Sequence, residues 1–304
     1  MKRFLQTPLG EFLRLSQPFT LIQVVFFYSL GAGVIVYRGQ PVDWPVFWMG
    51  LMCALLLQLS AVYLNAFYAR LQIPRRRKPD DPRNNLNDQE NSSRNAFLLA
   101  AITTLTISAM LTVLLNARGV FSLPSALILG LSLALVFAYA VPPFRLIYSG
   151  YGELVQGLFL TILIPALGYL LQNANLFQAL GMFTFPLMAL YLAMTLALSL
   201  ETYYSEIKAG RQNLMIRLGW QRGMTLHNLL VFFAFLLIGL GPLTNFSWSL
   251  TWPRLLTLPI GLFQVWQIWQ IGNGARTQWR LLRVTALATF GISLYLTVFM
   301  LWLG

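Results

Sequence analysis

Residues 178–219 read QALGMFTFPLMALYLAMTLALSLETYYSEIKAGRQNLMIRLG, and the change of character at Glu201 decides the fold. Upstream, residues 178–200 carry no charged side chain. Wound as a helix at 1.5 Å per residue, they reach about 35 Å, enough for a hydrocarbon core of roughly 30 Å. Downstream, Glu201, Glu206, Lys208, Arg211 and Arg217 follow in quick succession. An apolar segment of that length ending in an ionic loop reads as a chain leaving a membrane.

The same alternation recurs along the chain. Nine segments are long and apolar enough to span, at roughly 19–37, 44–67, 95–115, 121–140, 151–171, 178–200, 223–241, 252–272 and 284–303. Composition agrees: 57% of the residues are hydrophobic and only 10% charged, with a mean hydropathy of +0.65. A soluble domain carries roughly 25% charged residues. The net charge of +12 is sorted rather than spread, because eighteen of the 21 basic residues fall on one side of this nine-span arrangement. Only Arg38, Arg118 and Arg254 fall on the other. Basic loops stay cytoplasmic. The expectation is therefore an all-α, polytopic helical bundle of nine transmembrane helices, one domain over 1–304, with a cytoplasmic N-terminus and an outside C-terminus. The sorting explains the basic charge without nucleic acid, which is not an expected partner.

Several chemistries are excluded by scarcity. Cys53 is the only cysteine and His227 the only histidine, so disulfide frameworks, zinc sites and histidine relays lack their parts. Both residues are expected to pack within their helices. Met1-Lys2-Arg3 starts like a signal peptide, but Glu11 and Arg14 interrupt the apolar run that should follow, so no removable signal is expected. Residues 5–16 read instead as an amphipathic stretch on the cytoplasmic interface. Trp44, Trp48, Trp252 and Trp302 fall near span ends, where indoles anchor. A transporter would carry ionisable residues near the bilayer midplane, and no span has one at its centre.

Chemistry must then come from few groups. Seven of the nine carboxylates, Asp80, Asp81, Asp88, Glu90, Glu153, Glu201 and Glu206, sit in or beside the 2–3, 4–5 and 6–7 loops, with most of the basic residues. A charged crown on an apolar bundle suits an amphiphile whose tail enters the bundle and whose phosphate-type head meets cations. Local strings sharpen this reading: LRLSQPFTL at 13–21, YLNAFYARLQIPRRRKPDD at 63–81, AYAVPPFRLIYSGYGELVQG at 138–157 and ETYYSEIKAGRQNLMIRLG at 201–219.

With nine spans, these strings resemble the UbiA-type intramembrane prenyltransferase superfamily across essentially the whole chain. The resemblance implies transfer of an isoprenyl group from an isoprenyl diphosphate to an aromatic, quinone- or pigment-type acceptor, with Mg²⁺ as cofactor, in a multi-pass protein of the bacterial cytoplasmic membrane. It also implies two Asp-rich motifs at the ends of the second and sixth spans. Here the first, Asn-Asp-x-x-Asp-x-x-x-Asp, keeps Asn65 but has Ala66, Ala69 and Ile73 at its aspartates. The second, Asp-x-x-x-Asp, has Thr202 and Glu206, four apart and so expected on one helix face. Lys208, Ala209, Gly210, Leu214, Arg217, Leu218 and Gly219 still match. Substrate contacts are expected from Asn65, Arg145, Lys208, Arg211, Arg77 and Lys78, and metal ligands from Glu206, Glu201, Asp80 and Asp81. The alternative is a non-catalytic binder of prenyl lipid, quinone or pigment, or a subunit of a larger membrane complex. Membrane lipids are partners in either case.

Overall fold

The computed structural model describes residues 17–71, 84–173, 180–244 and 247–303, with the backbone alone for 70, 71, 84–93 and 244. The expected interfacial stretch at 5–16 lies outside the described residues. Eleven helices follow in order: α1 (Pro18–Tyr37), α2 (Trp44–Leu71), α3 (Asn84–Ala117), α4 (Leu123–Ala140), α5 (Gly152–Leu170), α6 (Gly181–Lys208), α7 (Leu214–Leu218), α8 (Trp220–Leu240), α9 (Trp248–Leu255), α10 (Leu258–Gly272) and α11 (Trp279–Leu303). Among the described residues, eight of them (α1 to α6, α8 and α11) are long and apolar enough to cross a membrane. The protein is a multi-pass membrane helical bundle.

The eighth of the nine expected spans is broken. Where sequence suggested one helix over 252–272, the chain forms α9 and then the 15-residue α10, which alone reaches about 22 Å. Thr257 turns its hydroxyl onto the Arg254 carbonyl, 2.8 Å away. Pro259 then sits in the first turn of α10, where its missing N–H costs nothing. A related interruption lies inside α5, where residues Phe159–Leu163 wind as one wide π-type turn just ahead of Pro165. Proline removes a helix donor, and a wider turn absorbs the loss.

Close approach of backbones holds the middle together. A Cβ on Gly31 would run into the carbonyl of Pro165, so α1 and α5 touch main chain to main chain. Small residues permit this in membranes, where burial of apolar side chains supplies little drive between helices. Polar ties cross the interior as well. Gln156 Nε2 donates to Gln58 Oε1 at 3.0 Å between α5 and α2, and His227 lies buried between Asn228 and Gln264.

Contacts fix which helix ends lie together. At one end, Arg94 on α3 lies over Phe67 on α2, Arg217 reaches Ser149, and Glu201 on α6 meets Arg283 on α11. This is the near end, where α2 ends, α3 begins and the α4–α5, α6–α8 and α10–α11 connections lie. At the far end Arg38 donates to the Tyr169 hydroxyl, and Trp44 stacks on Trp302.

Candidate functional site

The near end is shaped by two loops that grip each other. After α4, Arg145 takes a left-handed backbone conformation, φ 38°, which an L-residue adopts only at an energetic cost. It leads into the short turn Leu146–Tyr148. Its guanidinium carbon lies 4.5 Å from the centre of the Tyr148 ring. The side chain is 8% exposed, and Nε and Nη2 have no hydrogen-bond partner. Gly150 follows with φ 80°, and a Cβ there would meet Arg217 Cβ and Asn213 O at 3.2 Å.

Opposite it, α6 ends at Lys208 and the chain reverses through Gly210, φ 67°. Asn213 then caps α7, its Oδ1 accepting from Ile216 N at 2.8 Å. The two loops join at three places. Leu214 N donates to Glu153 Oε2 at 3.2 Å. Arg217 Nη1 donates to the Ser149 carbonyl at 2.8 Å. The Arg217 guanidinium lies 4.0 Å over the Tyr151 ring. The segments singled out by sequence at 138–157 and 201–219 are thus two halves of one clasp. Sequence reasoning missed Arg217 as its main cation, and Glu153 spends a carboxylate oxygen on the facing backbone.

The other expected site residues are placed as follows. Asn65 is half-buried near the end of α2, and its Oδ1 has no partner. Ala66 is buried and Ala69 half-buried on the same helix. Thr202 is exposed, its hydroxyl turned back to the Ser199 carbonyl at 3.4 Å. Glu206 pairs with Arg211 at 3.5 Å. Glu201 is held by Arg283 through contacts of 2.6, 2.8 and 3.2 Å. Lys208 is exposed. Arg77, Lys78, Asp80 and Asp81 lie outside the described residues.

The sequence pattern of the UbiA prenyltransferase family matches residues 24–290. The chain belongs to the UbiA prenyltransferase family. Two solved structures of a UbiA homologue from Archaeoglobus fulgidus share the fold. One, bound to Cd²⁺, superposes with a TM-score of 0.60. The other, bound to DMAPP and Mg²⁺, gives 0.61. Each is 16% identical and aligns over 94% of this chain and 98% of the homologue. No curated protein matches the sequence.

The described residues of this family member do not fit a Mg²⁺ cluster. Mg²⁺ is held by carboxylate and phosphate oxygens with its remaining positions filled by water. Among the described residues no three of His, Cys, Asp and Glu converge. Glu201 is committed to a guanidinium and Glu206 faces another, while Ala66, Ala69 and Thr202 offer no charge. Cationic groups, in contrast, are available here, and among the described ones at this end Arg145 is the buried one, with Nε and Nη2 lacking hydrogen-bond partners.

Proposed function

We propose that this protein binds an isoprenyl diphosphate at the near end of the bundle and transfers its isoprenyl group to an aromatic acceptor of quinone or pigment type, in the cytoplasmic membrane of a bacterium. The observation that carries the reading is Arg145. A buried guanidinium with unfilled N–H groups is costly on its own and matches the geometry of phosphate oxygens. Asn65, Lys208, Arg211, Arg77 and Lys78 complete the diphosphate set in this proposal.

The reaction asks two things of the chain. As the carbon–oxygen bond to diphosphate breaks, the electron pair leaves on a phosphate oxygen, and cations already in place stabilise that charge. The allylic cation must then meet the acceptor carbon before water does, which the apolar interior favours. The new carbon–carbon bond forms as the displaced ring proton departs. Mg²⁺, which the UbiA homologue from Archaeoglobus fulgidus binds with DMAPP, would add positive charge at the diphosphate. Glu206, Glu201, Asp80 and Asp81 are the carboxylates proposed for it; Glu206 and Glu201 would first have to leave Arg211 and Arg283, and no step here depends on it.

A second reading has its own support. Loss of the motif carboxylates at Ala66, Ala69, Ile73 and Thr202, with Glu201 tied to Arg283, favours a non-catalytic holder of a prenyl lipid, quinone or pigment, alone or within a membrane complex.

Binding of geranylgeranyl diphosphate and shorter homologues to the protein in nanodiscs, with and without Mg²⁺, separates the readings. Saturable binding is expected, weakened about tenfold to a hundredfold in Arg145→Gln, the loss typical of a hydrogen bond to a charged group. Binding followed by label transfer to an aromatic acceptor supports the enzyme. Binding without transfer to any acceptor, with Mg²⁺ or without, supports the holder. Absence of binding at every chain length overturns both.

A further inference from the structure

Arg254 stands at the far end of the bundle, on α9. The exposed side of that helix carries Trp248 and Trp252, and its buried side carries Leu250, Thr251, Pro253 and Arg254. For a helix at a membrane interface this is inverted, because long cationic side chains normally run outward to water. Arg254 is only 5% exposed. Its guanidinium carbon lies 5.5 Å from the centre of the Phe183 ring on α6. Nε and Nη2 have no hydrogen-bond partner.

The ring face and the carbonyls at the C-terminus of α9 offset only part of what burial removes from a guanidinium. Among the described residues nothing supplies the rest. Among the described carboxylates, Asp43 alone lies at this end, and its Oδ1 accepts from Val46 N at 3.2 Å at the start of α2. The other described carboxylates, Glu153, Glu201 and Glu206, are engaged at the near end. An ionisable residue enclosed within a membrane protein points to a function when its partner is missing.

We propose that Arg254 is the binding group of an oxyanion site at the far end of the bundle, taking a phosphate group. The two exposed indoles of α9 set the depth, since tryptophan rests at headgroup level. Lipid phosphate lies at the same depth, and the planar guanidinium fork fits two of its oxygens at once. Arg254 is the next-to-last residue of α9, just ahead of the break before α10, and its guanidinium lies over Phe183 of α6. The same chemistry is met by free phosphate, and the two sources separate experimentally.

The test is thermal unfolding of the full chain in a neutral detergent, titrated with phosphatidylglycerol, with inorganic phosphate, or with chloride at matched ionic strength. Phosphatidylglycerol is expected to raise the wild-type midpoint saturably by about 5 °C, and the rise is lost in Arg254→Gln. A matching rise with inorganic phosphate, absent with chloride, assigns the site to the free ion as well. No rise with either phosphate source overturns the proposal, as does an equal rise in Arg254→Gln. Should Arg254→Gln fail to fold, Arg254→Lys decides. It keeps the charge and loses the fork, so the lipid titration midpoint moves about tenfold; an unmoved midpoint overturns the proposal.

Discussion

The end of α2 and the clasp between the α4–α5 and α6–α8 loops lie at the same end of the bundle, yet they kept different things. On α2, of the Asp-rich motif that the resemblance implies, only Asn65 is present, and methyl groups stand at Ala66 and Ala69. In the clasp, Gly150, Glu153, Leu214 and Arg217 are all present and all engaged. Most of the retained contacts involve main chain: a carboxylate on Leu214 N and a guanidinium on the Ser149 carbonyl. The residues that shape the loops are present, and the aspartates that the resemblance implies for a metal are absent from positions 66, 69 and 202. The loop conformation does not depend on a metal, because its hydrogen bonds are made within the chain.

Three substitutions press on this contrast, in order of expected effect. Gly150→Leu places a side chain on a backbone at φ 80° and into Arg217, and should cost about 2–4 kcal/mol through strain and displacement. Thermal unfolding in detergent measures it, and an unchanged midpoint would break the idea of a clasp. Asn65→Ala removes a buried acceptor that has no partner. Stability should hold or rise by about 1 kcal/mol, while affinity for isoprenyl diphosphate falls. A loss of stability with unchanged affinity would make Asn65 a packing residue and leave α2 with no trace of its motif. Thr202→Asp, at an exposed position, should change stability by less than about 0.5 kcal/mol. It returns one carboxylate within one helical turn of Glu206, and diphosphate binding measured with and without Mg²⁺ should become more Mg²⁺-dependent. No gain would mean that the missing aspartates of α2 are the limiting loss.

Much of this was legible along the chain because span length and charge are local properties. The apolar segments gave the bundle, and the placement of basic residues separated Arg38, Arg118 and Arg254 from the rest. The broken eighth span was less legible. Pro253 and Pro259 flank the break, and prolines inside membrane helices are tolerated too often to signal one. The partners of the carboxylates were out of reach. Glu201 meets Arg283 from 82 residues away, and Glu153 meets Leu214 N from 61. No periodicity links such positions, since the helix packing that unites them depends on close contacts such as that of Gly31 with Pro165.

The sequence by itself determined a membrane bundle of the UbiA kind, because crossing a bilayer demands long uncharged helices and the loop strings are contiguous. Tertiary structure decided which charges are spent and which are free. It committed Glu201 to Arg283, Glu206 to Arg211 and Glu153 to a backbone amide, and it left Arg145 and Arg254 enclosed at opposite ends with open N–H groups. The physical reason is that a charge acquires its meaning from what replaces water around it, and that replacement exists only once distant helices have packed.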